Sequence, residues 1–203
     1  MIDCLGIILA GGQSSRMGEN KAFLTLKNDT MLNHCQSLLQ QCHLDKIEIS
    51  GSNSGGIADL VVQGGPLAGI HALIKKYQPR SVLVLPIDMP FISAQHLQEL
   101  KLKGSLANKA CHYSKCSLPA YIPVNAVLSQ FLDEEFTSPR FLTTGKGPSF
   151  KQVFKLANAL SIEQNDRQVL VNTNTPDEWQ QAKKRINDSV NKEIINKEFK
   201  SRI

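Results

Sequence analysis

The sequence predicts an α/β fold: a single three-layer domain with a mostly parallel central sheet and a C-terminal helix. Short apolar runs alternate with segments whose apolar residues recur at helical spacing, which is typical of this class. The chain has 203 residues and is 41% hydrophobic, so it can bury the core of one domain. No internal repeat and no linker divides it.

The first half of the chain alternates predicted strands with predicted helices. Residues 5–10 form a continuously apolar run that ends at two glycines, as a buried parallel strand does. Between residues 31 and 42, apolar side chains recur at the spacing of one helix face. Ser93 is a suitable N-cap for a further helix. The predicted strands are 5–10, 46–50 and 81–85, and the predicted helices are 31–42, 70–77 and 93–102.

The second half is less regular and finishes on a clear helix start. Pro176 followed by two acidic residues is typical of the first turn of a helix. The predicted strands are 120–124 and 169–172, and the predicted helices are 124–131, 149–156 and a last one from 176 onward. We expect one domain over residues 1–182, followed by a basic C-terminal helix or tail over residues 183–203.

The charge distribution argues against a nucleic-acid-binding function. The formal net charge is +5, but residues 183–203 hold seven basic and three acidic residues, which leaves 16 basic and 15 acidic residues in the first 182. No apolar run reaches the length of about 18 residues that a membrane span needs. Five cysteines are an odd number for a disulfide framework. We therefore expect a cytoplasmic protein without nucleic-acid or membrane partners.

A glycine-rich segment at residues 9–21 has the composition of a phosphate-binding loop. It follows the first predicted strand, at the edge of the sheet where α/β proteins bind ligands. Its glycines expose backbone N–H groups, and Arg16 and Lys21 add two cations suited to a triphosphate. The segment matches neither a Walker loop nor a dinucleotide fingerprint. The alternative is a glycine-rich turn with two solvated cations.

Asp88 stands at the end of another buried strand, between Pro86 and Pro90. A single carboxylate is enough to hold Mg²⁺ when substrate phosphates supply further oxygens. Alone it could equally be an ordinary turn aspartate. Together with the basic loop on a neighbouring strand end, it predicts a metal–nucleotide site. The cysteines and histidines show no metal-ligand spacing and no nucleophile–base set, so we predict neither zinc nor a covalent intermediate.

The glycine-rich segment reads Leu-Ala-Gly-Gly-x-Ser-x-Arg-Met-Gly-x-x-Lys, which resembles the signature of the molybdenum cofactor guanylyltransferase family (the molybdopterin-guanine dinucleotide biosynthesis protein A type). Three further motifs follow in that family's order, at residues 65–69, 88–91 and 172–178. The resemblance covers roughly residues 5–182 and leaves the basic tail unmatched. It implies a Rossmann-like sheet of the nucleotide-diphospho-sugar transferase kind.

The resemblance also implies an activity, which is Mg²⁺-dependent transfer of GMP from GTP to molybdenum-molybdopterin with release of pyrophosphate. Arg16, Lys21 and Asp88 would act in catalysis, with Asp88 as the metal ligand. The nucleotide would contact Leu9, Ala10, Gly11, Gly12, Lys21, Asn53, Gly65, Pro66 and Asp88. The substrate molybdopterin would contact Lys146, Lys151, Asn172 and Asn174. Molybdoenzyme chaperones and cofactor-biosynthesis proteins are the partners that such an activity suggests.

Three alternatives remain at this stage. The related cytidylyltransferases resemble Leu-Ala-Ala-Gly rather than the Leu-Ala-Gly-Gly of residues 9–12. Other small nucleotidyltransferases, such as those of sugar phosphates, usually place the lysine further from the glycines. A catalytically silent nucleotide-binding module would not need both Lys21 and Asp88. The segment before Gly65 lacks an acid next to the glycines, with Asp59 the nearest one, so we expect GTP to be preferred by a reduced margin.

Overall fold

The computed structural model describes residues 2–11, 20–26, 28–59, 61 and 64–200, without the side chains of Arg167 and of residues 189–200. Within these ranges, helices cover both faces of a central sheet. The strands are β1 (Leu5–Leu9), β2 (Thr25–Leu26), β3 (Asp29–Thr30), β4 (Lys46–Ser50), β5 (Ser81–Pro86), β6 (Cys111–Tyr113), β7 (Ala120–Pro123) and β8 (Leu160–Ile162). The helices are α1 (Met31–Gln40), α2 (Pro66–Tyr77), α3 (Ala94–Ala107), α4 (Ala126–Thr137), α5 (Pro139–Thr144), α6 (Phe150–Leu156) and α7 (Pro176–Lys200).

The described residues form a six-stranded sheet with the order β4–β1–β5–β7–β6–β8, beside a small β2–β3 hairpin. Strand β1 pairs in parallel with both β4 and β5. Strand β7 is antiparallel to its neighbours β5 and β6, and β6 is parallel to β8. Only β7 therefore runs against the other strands of this sheet among the described residues. The predicted mostly parallel α/β sheet is confirmed.

The central strands are apolar throughout because both of their faces are covered. All five residues of β1 are buried. Ile8 belongs to one core cluster with Leu83 and Leu85, which packs against α1 and α3. Leu5 and Ile7 belong to a second cluster, which packs against α2 and α4. Side chains that alternate along each strand thus fill two cores, one on each side of the sheet, and produce the predicted three layers.

One predicted strand is wrong, and five strands and helices were not predicted. Residues 169–172 are not a strand: Arg167–Leu170 is a short 3₁₀ helix, with the Asp166 side chain accepting from the N–H of Gln168 at 2.9 Å. The place beside β6 is taken instead by β8, ten residues earlier in the chain. The unpredicted elements have two to six residues each, which is too short to show a period, and they are β2, β3, β6, β8 and α5.

Helix α7 crosses the expected boundary at residue 183 without a break. Trp179 and Ile186 are 4% and 8% exposed and belong to the same core cluster as α1 and α3. The division at residues 182 and 183 stays a prediction, and the burial of Ile186 favours a tail that starts after it. In the part of the chain that the structure describes, no helix combines the length and the apolar character needed to cross a membrane.

Candidate active site

A cleft of about 430 Å³ opens where strands β1 and β5 end. The two strands are parallel neighbours, so their carboxyl ends meet at one edge of the sheet, as the ligand sites of open α/β sheets do. The loop after β6 and the start of α6 close the other side. The cleft is lined by Leu9, Ala10, Gly11, Lys21, Pro66, Pro86, Ile87, Asp88, Cys116, Ser117, Leu118, Phe150 and Asn172.

Lys21 stands at the centre of the polar groups of this cleft. Its Nζ lies 3.3 Å from Oδ2 of Asp88 and donates to Oδ1 of Asn174 at 2.9 Å. The side chains of Lys21 and Asp88 are only 15% and 17% exposed. Three segments that are far apart in the sequence therefore deliver a cation, a carboxylate and an amide to one point. A partly buried cation of this kind interacts more strongly with phosphate than a fully solvated one does.

Backbone hydrogen bonds hold Asp88 and the segment that carries the two asparagines together. The Asp88 carbonyl accepts from the backbone N–H of Thr173 at 2.8 Å and from its hydroxyl at 3.2 Å. Thr173 is 2% exposed. On the other side, the N–H of Ile87 donates to the carbonyl of Leu9 at 3.1 Å. The distance between Asp88 and its neighbours is thus fixed by the backbone rather than by mobile side chains.

The Asp88 carboxylate fits a divalent metal ion. Its Oδ1 is buried and has no hydrogen-bond partner among the described residues, although Oδ2 is paired with Lys21. A buried carboxylate oxygen without a partner is costly, and a cation would satisfy it. No group of three or more His, Cys, Asp or Glu side chains in the described ranges could hold a metal by itself. The arrangement therefore suits a metal that takes its remaining ligands from phosphate and water.

Two thiols lie near Asp88, and neither is a nucleophile at neutral pH. Burial raises the pKa of Cys35 to about 12, and the negative charge of Asp88 acts in the same direction. Burial also raises the pKa of Cys116, whose thiol donates to the Leu118 carbonyl. Protonated thiols at these positions are compatible with a reaction that forms no covalent enzyme intermediate.

The structure brings together many of the residues that the sequence selects. The cleft is lined by seven of them: Leu9, Ala10, Gly11, Lys21, Pro66, Asp88 and Asn172. Asn174 joins them through Lys21. Gly65, with φ of +72°, is the N-cap of α2 and precedes the lining residue Pro66. Gly12 and Arg16 lie outside the described residues.

Besides Gly65 and Asn174, three selected residues of the described part of the chain do not line the cleft. Asn53 is exposed, and its carbonyl accepts from the side chain of Asn20 at 3.0 Å. Lys146 is exposed in the loop after α5, and Lys151 is exposed on α6 next to the lining residue Phe150. Their contacts with substrate stay predictions.

Sequence reasoning missed the wall formed by Cys116, Ser117 and Leu118. These residues follow β6, which runs in the same direction as β1 and β5 and so ends at the same edge of the sheet. Because β6 was not predicted, the loop after it could not be assigned to the site. The signal available was the alternation of Cys111, His112 and Tyr113, which is only three residues long.

A second groove of about 350 Å³ adjoins the cleft and shares Cys116 with it. It lies between the loop after β6 and the segment after β8. Its lining is mainly polar and consists of Ser114, Lys115, Cys116, Glu163, Gln164, Asn165 and Leu170. The two hollows therefore lie on either side of a common wall residue, Cys116.

Comparisons with known proteins agree on one family. The model of the family described as "MobA-like NTP transferase domain" matches residues 6–116. A molybdenum cofactor guanylyltransferase from Xanthomonas euvesicatoria pv. vesicatoria is 31% identical over 182 residues, which cover 86% of this chain and 91% of that protein.

Two solved structures share the fold. Molybdopterin-guanine dinucleotide biosynthesis protein A from Archaeoglobus fulgidus matches with a TM-score of 0.66 and 22% identity, over 91% of this chain and 99% of that one. A Mycobacterium tuberculosis protein solved in complex with manganese matches with a TM-score of 0.58 and 13% identity, over 90% and 98% of the two chains. At these identities the two structures show the fold alone.

Proposed function

This chain belongs to the MobA-like NTP transferase domain family, and we propose that it transfers GMP from GTP to molybdenum-molybdopterin, with release of pyrophosphate. The observation that carries the proposal is the meeting of Lys21, Asp88 and Asn174 in one cleft at the strand ends. In a catalytically silent nucleotide-binding module, Asp88 would not need to keep a buried oxygen without a hydrogen-bond partner next to Lys21.

The reaction follows from the charges in the cleft. An oxygen of the terminal phosphate of molybdopterin attacks the α-phosphorus of GTP in line, a new P–O bond forms, and the bond to the β-phosphate breaks. The attacking phosphate is ionised at neutral pH, so no residue has to remove a proton from it. Lys21 neutralises charge on the phosphates and on the departing pyrophosphate, while Asn174 orients the Lys21 ammonium group. Arg16 is proposed to share the leaving-group charge.

We propose Mg²⁺ as the metal, held by Asp88 together with phosphate and water oxygens. When bound, it supplies positive charge to the phosphates during the transfer. Asp88 is suited to this role because its backbone is fixed from both sides and one of its oxygens is unpaired among the described residues. The adjacent Lys21 prevents the carboxylate from remaining an isolated negative charge in the absence of ligands.

The acceptor half of the site is proposed to lie on the side of Asn172 and the second groove. A ligand pocket of about 300–1,000 Å³ holds one small molecule, and the transfer needs two substrates next to each other. Two adjoining hollows of about 430 and 350 Å³ meet that requirement. The nucleotide would occupy the cleft over β1 and β5, and the ring system of molybdopterin would extend past Cys116 into the second groove. Lys146 and Lys151 would approach the acceptor from its rim.

We place the reaction in the cytoplasm, because all five cysteines are free, as is usual in a reducing compartment. Molybdoenzyme chaperones and other proteins of cofactor biosynthesis are the proposed partners.

The proposal is tested by supplying the protein with molybdenum-molybdopterin, Mg²⁺ and each of GTP, CTP and ATP in turn, and identifying the attached nucleotide by mass spectrometry. We expect stoichiometric pyrophosphate release and a guanine dinucleotide with GTP. A cytosine dinucleotide would assign the protein to the cytidylyltransferases instead. Tight GTP binding without pyrophosphate release would support the silent module.

A further inference from the structure

Asn20, the residue before Lys21, uses its whole side-chain amide. Its Oδ1 accepts from the backbone N–H of Ala22 at 3.0 Å and so caps a short 3₁₀ helix, Lys21–Phe23. Its Nδ2 donates to the carbonyl of Asn53 at 3.0 Å and to Oγ of Ser54 at 3.2 Å. The orientation of the amide is unambiguous, because a backbone N–H can only donate and a carbonyl can only accept.

Ser54 extends this network to strand β1. The hydroxyl of Ser54, which is 4% exposed, accepts from Asn20 and donates to the carbonyl of Ala10 at 3.1 Å. Ala10 lines the cleft, and its own N–H donates to the carbonyl of Ser50 at 2.9 Å. One segment after β4 therefore binds both to the end of β1 and to the residue that precedes Lys21.

The backbone packing makes this anchor rigid. Gly51 has a φ of +125°, and a Cβ there would lie 2.5 Å from the Gly11 nitrogen and 2.8 Å from the Ala10 carbonyl carbon. No side chain fits between these backbones, so the segment at residues 50–54 is in direct contact with the strand end. Gly11 and Asn20, on either side of residues 12–19, are thus held by the same short segment.

We propose, on the basis of the proposed function, that Asn20 is a positioning residue for the nucleotide: it fixes Lys21 over the cleft through the bonds to Asn53 and Ser54. Lys21 is a long side chain, and its charge is useful to a triphosphate only when its backbone is held at one distance from Asp88. The cap orders the residues within the 3₁₀ helix, and Ala22 packs into the core beside α1. The cross-links from Nδ2 add a direct connection between the residue before Lys21 and the segment after β4.

The Asn20 amide both caps the 3₁₀ helix and cross-links it to Asn53 and Ser54, whereas a hydroxyl could only cap it. A serine is as good an N-cap as asparagine, so Asn20→Ser retains the cap on Ala22. Its hydroxyl is too short to reach Asn53 and Ser54 at the same time. Without these two cross-links, Lys21 is held over the cleft for a smaller fraction of the time, and we expect GTP affinity to fall about tenfold.

The test measures GTP binding by calorimetry without the acceptor, in Asn20→Ser, Lys21→Ala and the double variant. We expect the GTP dissociation constant of Asn20→Ser, measured well below its melting temperature where the variant is folded, to rise about tenfold. In the Lys21→Ala background the same substitution should have no further effect, because Asn20 acts through Lys21. The matched control is Asn125→Ser, since Asn125 is also a helix N-cap but lies on α4 and outside the cleft lining.

An unchanged dissociation constant in Asn20→Ser would overturn the proposal. So would a full tenfold effect that persists in the Lys21→Ala background, since Asn20 would then act independently of the lysine. A lower melting temperature with unchanged GTP affinity would assign Asn20 a structural role only. Failure of the proposed function is distinguishable, because in that case the parent protein itself would release no pyrophosphate in the transfer assay.

Discussion

The two carboxylate oxygens of Asp88 differ in their surroundings. Oδ2 is paired with Lys21, whereas Oδ1 is buried without a partner among the described residues. Asp88→Asn retains the shape and a hydrogen-bond acceptor for Lys21 but removes the charge that we propose holds a divalent metal. We expect turnover to fall by about 10²–10³, with little change in melting temperature. Steady-state kinetics over a Mg²⁺ titration measure the loss.

The matched control is Asp166→Asn, because Asp166 is an exposed acid that caps a 3₁₀ helix outside the cleft. It should leave turnover and the Mg²⁺ requirement unchanged. Near-normal turnover in Asp88→Asn would show that Asp88 is not the metal ligand.

The choice of base depends on which acceptor meets the two adjacent N–H donors of guanine. Asp59 accepts from the hydroxyl of Ser50 at 3.3 Å, and Ser50 ends β4 beside Leu9 of the cleft. Asp59 is half-buried, and this burial raises the pKa of its carboxyl group. Because a charged acceptor contributes about 1.5–3 kcal/mol and a neutral one about 0.5–1.5, Asp59→Ala should reduce the preference for GTP over ATP roughly tenfold.

The ratio of kcat/KM for the two nucleotides checks the role of Asp59. Asp59→Asn keeps a neutral acceptor and should give an intermediate preference. Strong selectivity that survives Asp59→Ala would show that neutral acceptors near Gly65 are sufficient.

The candidate site residues that could be selected from the sequence are those that follow an apolar strand and stand next to glycines or prolines. Lys21 and Asp88 both follow strongly apolar strands, and they meet in the cleft. The sequence could not predict the two bonds that the Asn20 amide nitrogen donates, because their partners Asn53 and Ser54 lie more than 30 residues away. Nor could it place Lys146 and Lys151, since exposed lysines carry no local signal for the direction of their side chains.

At the scale of elements, the start of α7 sets the position of Asn174. The carboxylate of Glu178 accepts from the backbone N–H groups of Asn174 and Thr175 at 2.6 and 3.1 Å. The Thr175 hydroxyl accepts in return from the N–H of Glu178 at 3.3 Å, which completes a capping box. The bond from Asn174 is the main reason that the pKa of Glu178 lies below its usual value.

The lowered pKa of Glu178 gives a pH dependence with a definite sign. A carboxylate whose pKa is lower in the folded protein contributes stability above its unfolded pKa of about 4.3, and that stability is lost as the pH falls through the folded value. Glu178→Gln keeps one acceptor but does not titrate. We therefore expect the melting temperature of the parent to exceed that of Glu178→Gln at pH 7 and the two to converge below about pH 4. A difference in melting temperature between the two proteins that stays constant with pH would contradict this prediction.

The second groove is formed by two connecting segments whose positions depend on β6 and β8. If the ring system of molybdopterin binds there, the Glu163 carboxylate is the charged acceptor for ring N–H donors. Glu163→Gln should raise the KM for molybdopterin about tenfold and leave the GTP dissociation constant unchanged. Asp166→Asn again serves as the charge-matched control. Equal KM values for the parent and Glu163→Gln would move the ring system elsewhere.

Long apolar or periodic elements were predictable, and short ones were not. Strand β5 is six residues long with its first five buried, and α1 shows a clear apolar face, so both were predicted close to their bounds. Strands β6 and β8 have three residues each and depend on each other and on β7 for pairing. Residues 169–172 have the composition of a strand, but the Asp166 cap favours a 3₁₀ helix there. Whether such a short segment forms a strand depends on its pairing with other strands rather than on its local propensity.

At the scale of the whole molecule, the excess positive charge is concentrated in the last part of the chain. Residues 183–203 carry seven basic and three acidic residues, and α7 continues through them to Lys200. The helix therefore joins a part anchored in the core by Trp179 and Ile186 to a part whose composition is polar. We propose that the separable tail begins after Ile186.

This division predicts different outcomes for two truncations that differ by three residues. A chain that ends at Asp188 keeps Ile186 and should retain the melting temperature and the GMP-transfer rate of the parent. A chain that ends at Arg185 loses a side chain that is 8% exposed in the core, which costs on the order of 1–3 kcal/mol. For a domain of this size, each kcal/mol lowers the melting temperature by about 2–4 °C, so a fall of roughly 3–10 °C is expected. Equal melting temperatures for the two truncated chains would show that the packing of Ile186 contributes no stability. If the chain that ends at Asp188 folded but lost GMP transfer, the tail would belong to the acceptor site or to a subunit contact.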